Sequence, residues 1–513
     1  MPFSQLTIQD SDPELRQALS ALREEFDLPE SFSPEVLAEA EQAVCDARLP
    51  GLGAPGRDAR ELPLVTIDPP DSMDLDQAMA LSRTEDGYLV RYAIADVPVF
   101  VHPGGAIDAE TRRRGQTLYL PDGRIPLHPP RLSEDAGSLL PGQGRPAYLW
   151  EIVLDADGRQ LSATVARAAV RSIAKLSYAQ AQQDIESETA SEYLETLLLL
   201  REIGLKRIEL ERERGGASLN TPQQHIERTE RGYRLVAHPN LPIEDWNAQI
   251  SLLTGMAAAQ IMLAGGIGIL RTMPEPDTAA VKQFRLQARA LGAPWPAGLA
   301  YGEFLRTLNP ENPQHLALLH AATSLFRGAG YTPFDGAAPE QPEQAAVAAP
   351  YTHTTAPLRR LVDRFVLVIC AALCAGEEVP AWVREALPEL PELMAMSGQL
   401  AGKVNRAGLD LMEAAVLADL VGQEFEAVLV SVTPDRGSSS QTDSTRRGTV
   451  QLLSPAVTAP CELPTAAPGV EEIAPGSTGR VELLCADIDQ RAVRFRWIAD
   501  NSKDSATTQE TVR

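Results

Sequence analysis

The stretch Leu64-Val65-Thr66-Ile67-Asp68-Pro69-Pro70-Asp71-Ser72-Met73-Asp74-Leu75-Asp76-Gln77 carries the most informative chemistry of the chain. It begins with four aliphatic or β-branched residues, which are typical of a short strand. Pro69-Pro70 removes two backbone donors and ends the strand in a turn. Asp74 and Asp76 are two apart in an extended segment, so their side chains point to the same side. The pattern predicts several carboxylates at one point, directly after a strand.

Converging carboxylates are unfavourable unless a cation compensates their charge. Oxygen ligands without His or Cys select Mg²⁺, with Mn²⁺ as the second candidate. A solvated acidic turn is the competing interpretation, and the turn alone does not decide between the two. A calcium EF-hand loop does not fit, because Met79 stands where that loop, counted from Asp74, needs Gly.

The composition of the 513 residues, 44% hydrophobic and 23% charged, predicts a folded globular protein. The net charge of −24 counts against nonspecific coating of nucleic acid, so only a local basic track is expected to hold a phosphate backbone. Five sparse cysteines indicate a reducing compartment. The N-terminus lacks a secretory layout and the apolar run 365–376 is too short to span a bilayer. We therefore expect a cytoplasmic protein without a membrane span.

Residues 1–60 have the pattern of a small helical leader. Asp12-Pro13 and Ser33-Pro34 each place a capping residue before a proline at the first helical position. The apolar residues that follow recur at helical spacing: Leu15, Leu19 and Leu22, then Val36, Leu37 and Ala40. A helix-turn-helix DNA reader is the alternative, but the many acidic residues of this segment favour a packing role.

The predicted secondary structure of the rest of the chain changes along the sequence. Residues 61–180 are β-rich, and helices dominate from about residue 186 to residue 418. Within the helices, 206–214 alternates charge signs and is interpreted as a solvated face. About five short strands between 419 and 500 suit an OB-type barrel. The polar tail 501–513 is expected to be disordered.

The sequence around the acidic turn resembles the ribonuclease II (RNB) family. The matching segments, in order, are Leu64–Asp68, Met73–Asp76, Ile94–Val97, Pro103-Gly104, Ile107-Asp108, Arg113–Gly115, Tyr119–Asp122, Ile125-Pro126, Leu132-Ser133 and Tyr351–Arg360. One such motif is weak, whereas the ordered series is specific. The resemblance implies an α+β fold in which residues 61–418 form the RNB catalytic domain, a mixed sheet with many helices.

The resemblance also implies a metal site. It places Asp68, Asp74 and Asp76 on acidic positions that hold the catalytic metal and activate water, with Asp76 as the central catalytic aspartate. Two-metal cleavage of a phosphodiester needs such a cluster. Gln77 stands where the family has a fourth aspartate; an amide ligates through its oxygen but contributes no charge.

RNA-binding residues follow in the same way. Tyr119 and Tyr178 match tyrosines that stack on bases near the 3′ end and in the RNA channel, a sequence-tolerant contact. Arg359 matches the catalytic arginine, suited to bidentate contact with the scissile phosphate. Arg360 is predicted to bind a neighbouring phosphate or a structural carboxylate. His353 is interpreted as a hydrogen-bonding frame residue.

Two further departures from the family pattern are visible. The segment 247–253 lacks the paired glutamates that members often carry on a channel helix. We expect that residues 1–60 are too few for the two cold-shock barrels that commonly precede the catalytic domain. The C-terminal barrel is then the accessory RNA-binding module, and we expect modest RNA affinity and closer approach of duplexes.

The resemblance implies a hydrolytic 3′→5′ exoribonuclease that degrades single-stranded RNA to nucleoside 5′-monophosphates with Mg²⁺, as a monomer. The neutral Gln77 and the missing glutamates motivate an alternative, an RNB protein that binds RNA or a partner without digesting it. A metal-dependent hydrolase of other phosphodiesters is the third hypothesis.

Overall fold

A computed structural model describes residues 13–219, 223–229, 232–238, 240–432, 446–455, 457–464 and 473–498. The predicted tail 501–513 lies outside them. The helices are α1 Pro13–Glu25, α2 Pro34–Asp46, α3 Ala106–Arg114, α4 Tyr178–Ser187, α5 Leu194–Arg214, α6 Pro242–Gly265, α7 Thr278–Ala290, α8 Tyr301–Arg306, α9 Pro313–Ala322, α10 Leu361–Ala375, α11 Ala381–Ala386 and α12 Leu390–Leu417. The strands are β1 Arg57–Asp58, β2 Leu64–Asp68, β3 Gln77–Arg83, β4 Gly87–Ala95, β5 Leu118–Leu120, β6 Gly123–Ile125, β7 Gly144–Asp155, β8 Gln160–Ser177, β9 Gln223–Thr229, β10 Gly232–His238, β11 Ile267–Thr272, β12 Gly330–Asp335, β13 Glu343–Gln344, β14 Ala349–Pro350, β15 Glu424–Val432, β16 Arg446–Leu452, β17 Thr458–Leu463, β18 Thr478–Asp487 and β19 Ala492–Trp497.

A six-stranded mixed sheet of order β1-β8-β2-β3-β4-β7 supports the acidic turn. The long strand β8 pairs antiparallel with β7 from Gln160 to Arg171 and parallel with β2 from Ser172 to Ser177. The largest buried cluster includes residues of this sheet and of α5, α6 and α10, among them Tyr92, Trp150, Ile250 and Phe365. The sheet therefore presents the end of β2 from a rigid platform.

The helices of the N-terminal segment pack on the rest of the chain. Leu15 and Leu19 of α1 are fully buried in a cluster shared with α12. The hydroxyl of Ser33 caps α2 by accepting from the N–H of Val36. Leu37 is 44% exposed, so its expected place in the apolar face is wrong, whereas Val36 and Ala40 of the same predicted face are buried.

The C-terminal strands close into a five-stranded barrel of order β15-β16-β17-β19-β18, as the spacing of short strands predicted. The α+β class with a C-terminal barrel is thus confirmed. Among the described residues, α6 is the one helix long and apolar enough to cross a membrane, and 56% of its apolar window is buried inside the fold. A buried core helix has this same pattern.

The interpretation of residues 206–214 as a solvated face is wrong for two of its charged residues. Arg207 and Glu211 are each 4% exposed, because this part of α5 is covered by other elements. Glu211 accepts hydrogen bonds from Gln249 of α6 (2.6 Å) and from Arg306 of α8 (3.1 Å). Alternating charge along a helix does not reveal which charges face a neighbour.

Glu413 of α12 lies against the barrel, and burial, followed by the charge of Asp410, raises the pKa of Glu413 to about 8. The folded state then keeps this proton while the unfolded chain releases it near the ordinary value of 4.5. Stability is expected to fall as pH rises from about 4.5 to about 8, by at most about 1.4 kcal/mol for each pH unit. Glu413→Gln should remove this slope in thermal unfolding, whereas Glu392→Gln, exposed on the same helix, should retain it. Equal slopes in both variants would contradict the assignment.

Candidate active site

Asp68 is the last residue of β2 and pairs with Ser177 at the end of the parallel strand β8. Parallel strands bring their carboxyl ends to one edge of the sheet, so Tyr178, the next residue after Ser177, lies in the same region. The Pro69-Pro70 turn is held by Lys175, whose Nζ donates to the carbonyls of Pro70 (2.8 Å) and Ser72 (2.6 Å). The strand end and the lysine together fix the start of the acidic turn.

The second half of the turn is held by Ser138. Its hydroxyl accepts from the N–H of Leu75 (3.0 Å) and donates to the carbonyl of Met73 (2.6 Å). The intervening carboxylate, Asp74, forms an ion pair with Arg124 of the β5–β6 hairpin. A hydroxyl and a guanidinium thus position the segment between the two proline residues and β3.

Asp76 connects the acidic turn to the second sequence signature, 282 residues further along the chain. The carboxylate is 2% exposed, and its Oδ1 accepts from the N–H of Leu358 at 2.8 Å. Its Oδ2 lies 3.8 Å from Nε of Arg359, whose side chain is 47% exposed. The structure therefore brings together a buried carboxylate and a solvent-facing guanidinium, as the resemblance implies.

The carboxylates are electrostatically unfavourable as they stand. Burial, followed by the charge of Asp74, raises the pKa of Asp68 to about 7, against the opposing charges of Arg359 and Lys175. Burial raises the pKa of Asp76 well above its ordinary value, and Arg359 and the Leu358 N–H offset part of this. A positive charge bound beside them would lower both pKa values.

The expected three-carboxylate metal cluster is not assembled in this structure. Within the described ranges, no group of three or more His, Cys, Asp or Glu side chains is arranged to hold a metal ion. One physical reason is that Asp74 is turned towards Arg124. The donor chemistry nevertheless fits a hard divalent cation, because Asp68 and Asp76 offer oxygen ligands whose burial is only partly compensated by the groups around them.

Gln77 begins β3, and its amide nitrogen donates to the backbone carbonyl of Thr355. The hydroxyl of Thr355 in turn hydrogen-bonds that of Ser251 on α6 at 2.8 Å. The amide is therefore part of the bonding between the acidic turn and the second signature, a role that an aspartate would not fill because it has no N–H to donate.

Gln77→Asp tests whether this position also acts on a metal. The added charge is expected to lower the Mg²⁺ or Mn²⁺ concentration needed for half-maximal RNA hydrolysis by several-fold. The lost hydrogen bond should cost about 1 kcal/mol of stability. Gln77→Ala is the matched control, since it removes the hydrogen bond without adding charge. The same metal dependence in both variants and in the natural protein would show that residue 77 is not a ligand.

The two tyrosines flank the acidic turn. The hydroxyl of Tyr178 accepts from the side-chain N–H of Asn247 at 3.3 Å, and burial raises the pKa of Tyr178 to about 12. Burial also raises the pKa of Tyr119, which lies within electrostatic reach of Asp74 and Asp76. Both phenols stay neutral at physiological pH. Their contact with RNA bases remains a prediction.

Of the two roles predicted for Arg360, the structure shows the contact with a structural carboxylate. Its Nε and a terminal nitrogen bind the two carboxylate oxygens of the fully buried Asp363 at 2.6 and 2.8 Å. This pairing raises the pKa of Arg360, and contact with an RNA phosphate stays a prediction. His353 hydrogen-bonds the hydroxyl of Tyr331 at 2.5 Å, and burial lowers the pKa of His353 well below its usual range. A neutral, hydrogen-bonded ring matches the frame role expected for it.

Three positioning residues were missed: Lys175, Ser138 and Arg124. Lys175 lies three residues before Tyr178, yet nothing in the neighbouring sequence shows that its ammonium binds the carbonyls of the proline turn. Ser138 acts over 63 residues and Arg124 over 50, and neither follows a recognisable motif. Hydrogen bonds at such separations are not visible in a single sequence.

Fold and site define a class: an RNB-type domain followed by a small barrel. Residues 56–375 match the RNB domain, and residues 423–497 match the RNase II-type exonuclease C-terminal S1 domain. Since the first match covers more than half of the chain, this protein belongs to the RNB family.

The chain is 28% identical over 410 residues to ribonuclease R of Escherichia coli, covering 73% of this chain but 48% of that protein. It thus spans about half the length of that relative. It is 31% identical over 250 residues (44% of this chain, 24% of the relative) to a protein of Arabidopsis thaliana described as inactive exonuclease DIS3L2. The structure of Mycoplasma genitalium RNase R with ribose-methylated single-stranded RNA has the same fold, with a TM-score of 0.82 at 17% identity, covering 95% of this chain and 78% of that one.

Proposed function

We propose that this chain is a hydrolytic 3′→5′ exoribonuclease that degrades single-stranded RNA to nucleoside 5′-monophosphates. The observation that carries the proposal is the contact of buried Asp76 with Leu358 and Arg359, which joins the two family signatures in one site. The relatives named ribonuclease R, including that of E. coli, support the reaction class.

The role of each side chain in the proposed reaction follows from its chemistry. Asp68, Asp74 and Asp76 would hold a divalent cation, with Mg²⁺ first and Mn²⁺ second, because all their donors are hard oxygens. Such a cation supplies charge stabilisation and a more acidic bound water. Arg359 faces solvent beside Asp76 and orients the scissile phosphate. Tyr119 and Tyr178 offer neutral rings on which terminal bases stack.

End-labelled oligoribonucleotides test the proposal. With Mg²⁺, a 3′ label should appear at once as a mononucleotide, while a 5′ label should pass through a ladder of shortening products. Chelation should stop both reactions, and DNA of the same sequence should persist. A 5′ label released first, or equal decay of DNA, would overturn the assignment.

A second candidate function is RNA binding without digestion. It rests on Gln77 in place of an acidic residue and on the similarity to the inactive Arabidopsis protein. RNA bound tightly but left intact across a range of Mg²⁺ and Mn²⁺ concentrations would establish it. The labelled-oligonucleotide assay therefore separates the two candidates.

Arg359→Lys keeps a positive charge but cannot donate in a fork. Charge on the phosphoryl oxygens is larger in the transition state, so we expect kcat to fall about tenfold or more with KM little changed. Arg384→Lys, an exposed arginine that pairs with Asp335, is the control. A raised KM with normal kcat would place Arg359 in ordinary substrate binding.

The barrel is expected to add few phosphate contacts. Two of its exposed arginines, Arg480 and Arg496, form ion pairs with Glu424 and Glu482 at 2.7 and 2.6 Å. We propose a cytoplasmic monomer with modest affinity for single-stranded RNA and a shallow dependence of that affinity on salt. Sedimentation measures whether the protein is a monomer. Titration of RNA binding against salt measures the affinity and its dependence on salt.

A further inference from the structure

The turn between β7 and β8 packs against α5 and gathers cationic side chains. Arg207 donates to the carbonyl of Gly158 at 3.1 Å, and the Cβ of Lys206 lies 3.1 Å from where a β-carbon would stand at Gly158. Arg159 follows Gly158 directly on the turn. Arg214 stands seven residues after Arg207, two helical turns along the same side of α5. We call Arg159, Arg207 and Arg214 the α5 arginine cluster.

Two members of the cluster form no ion pair among the described residues, although the charge of Glu211 acts on both. Arg207 is 4% exposed, and the Nε atoms of Arg207 and Arg214 are buried without an acceptor among the described residues. None of the described carboxylates lies within ion-pair distance of either guanidinium. Glu211, which lies between them on α5, already accepts from Gln249 and Arg306.

The arrangement is costly without an anion. Burial, followed by the charge of Arg214, lowers the pKa of Arg207 to about 10, and the charge of Glu211 offsets only part of this. Arg159 is paired with Glu213 at 2.9 Å, but both side chains are more than half exposed, so this pair is weak and free to rearrange. A tetrahedral oxyanion offers several acceptors at once, which matches guanidinium groups with free N–H bonds.

The cluster lies far from the acidic turn. Gly87, at the start of β4, pairs with Asp155, the last residue of β7 before the β7–β8 turn, whereas the N–H of Ala95, at the end of β4, donates to the carbonyl of Asp76. The length of β4 places the two sites roughly 25 Å apart. An anion at the cluster is therefore not the phosphate being cleaved.

We propose that the α5 arginine cluster binds a phosphate group at a site separate from the acidic turn. The RNA backbone and a free nucleoside monophosphate both carry this group. The site itself does not depend on the exoribonuclease proposal, although these two sources of phosphate do.

Thermal unfolding of the full chain with increasing inorganic phosphate, at constant ionic strength set by chloride, tests the site. Phosphate should raise the unfolding midpoint saturably. Arg214→Gln and Arg159→Gln should each require about tenfold more phosphate for half of the effect, since each removes a charge-assisted hydrogen bond. Arg384→Gln, an exposed ion-paired arginine elsewhere, should respond like the natural protein. The same response in all four proteins, or none beyond that of chloride, would overturn the proposal.

The source of the phosphate follows from competition in EDTA, where RNA is not hydrolysed. AMP and a short RNA with a 5′-hydroxyl are each added before the phosphate titration. The compound, AMP or RNA, that occupies the cluster at the lower concentration of phosphate groups is assigned as its ligand. If neither compound competes with phosphate, a nucleotide-derived ligand is contradicted. Because no step of the measurement needs catalysis, failure here leaves the proposed hydrolysis standing, and failure of hydrolysis leaves this site standing.

Discussion

Asp76→Asn is expected to lower the rate of RNA hydrolysis at least about 100-fold while RNA binding is retained. The asparagine keeps the shape of the side chain and an oxygen that can accept from the N–H of Leu358. It removes the charge that would hold a cation and that faces Arg359. The rate is measured with 3′-labelled RNA in Mg²⁺, and binding in EDTA.

Stability distinguishes lost chemistry from lost structure in this variant. Burial makes the ionised form of Asp76 unfavourable in the folded state, so a neutral asparagine should leave the unfolding midpoint unchanged or raise it. Asp71→Asn, in the exposed part of the same turn, is the control and should keep normal turnover. Undiminished hydrolysis by Asp76→Asn would remove the acidic turn from the catalytic account.

The sequence was sufficient for the parts of the fold that are local. The strand before Pro69-Pro70, the helices opened by Pro13 and Pro34, and the barrel strands after residue 419 each follow from spacing, capping or turn residues within a few positions. The meeting of the acidic turn with the segment 351–360 could be anticipated only through the resemblance, because no local rule links residues 282 positions apart.

The positions of individual charges were not predictable in the same way. The sequence shows that Asp74, Arg124, Lys175 and Arg360 exist, but their partners are decided by packing across the sheet and between helices. Arg360 with Asp363 is an exception of short range, at i and i+3 on the start of α10. Asp74 with Arg124 is the opposite case, and it alters the expected metal cluster.

A second long-range pair holds the helix that follows Arg359 and Arg360. Asp108 of α3 and Arg364 of α10 form an ion pair with side chains 4% and 1% exposed. The other oxygen of Asp108 accepts from the N–H of Gly104 at 3.0 Å and from Arg112 at 3.3 Å. Burial opposes ionisation, yet the charge of Arg364 and these hydrogen bonds lower the pKa of Asp108 below its ordinary value. The pair ties α10 to the helix beside it.

Asp108→Asn is therefore expected to destabilise the protein by about 3–5 kcal/mol, because it leaves the Arg364 guanidinium buried and unpaired. The Nε and Nη1 atoms of Arg364 already lack acceptors among the described residues, so no other group pairs with its charge.

Asp335→Asn is the control: it breaks an ion pair whose side chains are both nearly half exposed, and should cost less than about 1 kcal/mol of stability. Urea unfolding followed by tryptophan fluorescence measures both, and Trp382, whose ring lies 5.7 Å from the Arg364 guanidinium carbon, reports on the site. The double variant Asp108→Asn with Arg364→Met should recover part of the loss, since it removes the unpaired charge. Equal effects of Asp108→Asn and Asp335→Asn would show that burial of the pair contributes nothing to holding α10, and with it Arg359, in place.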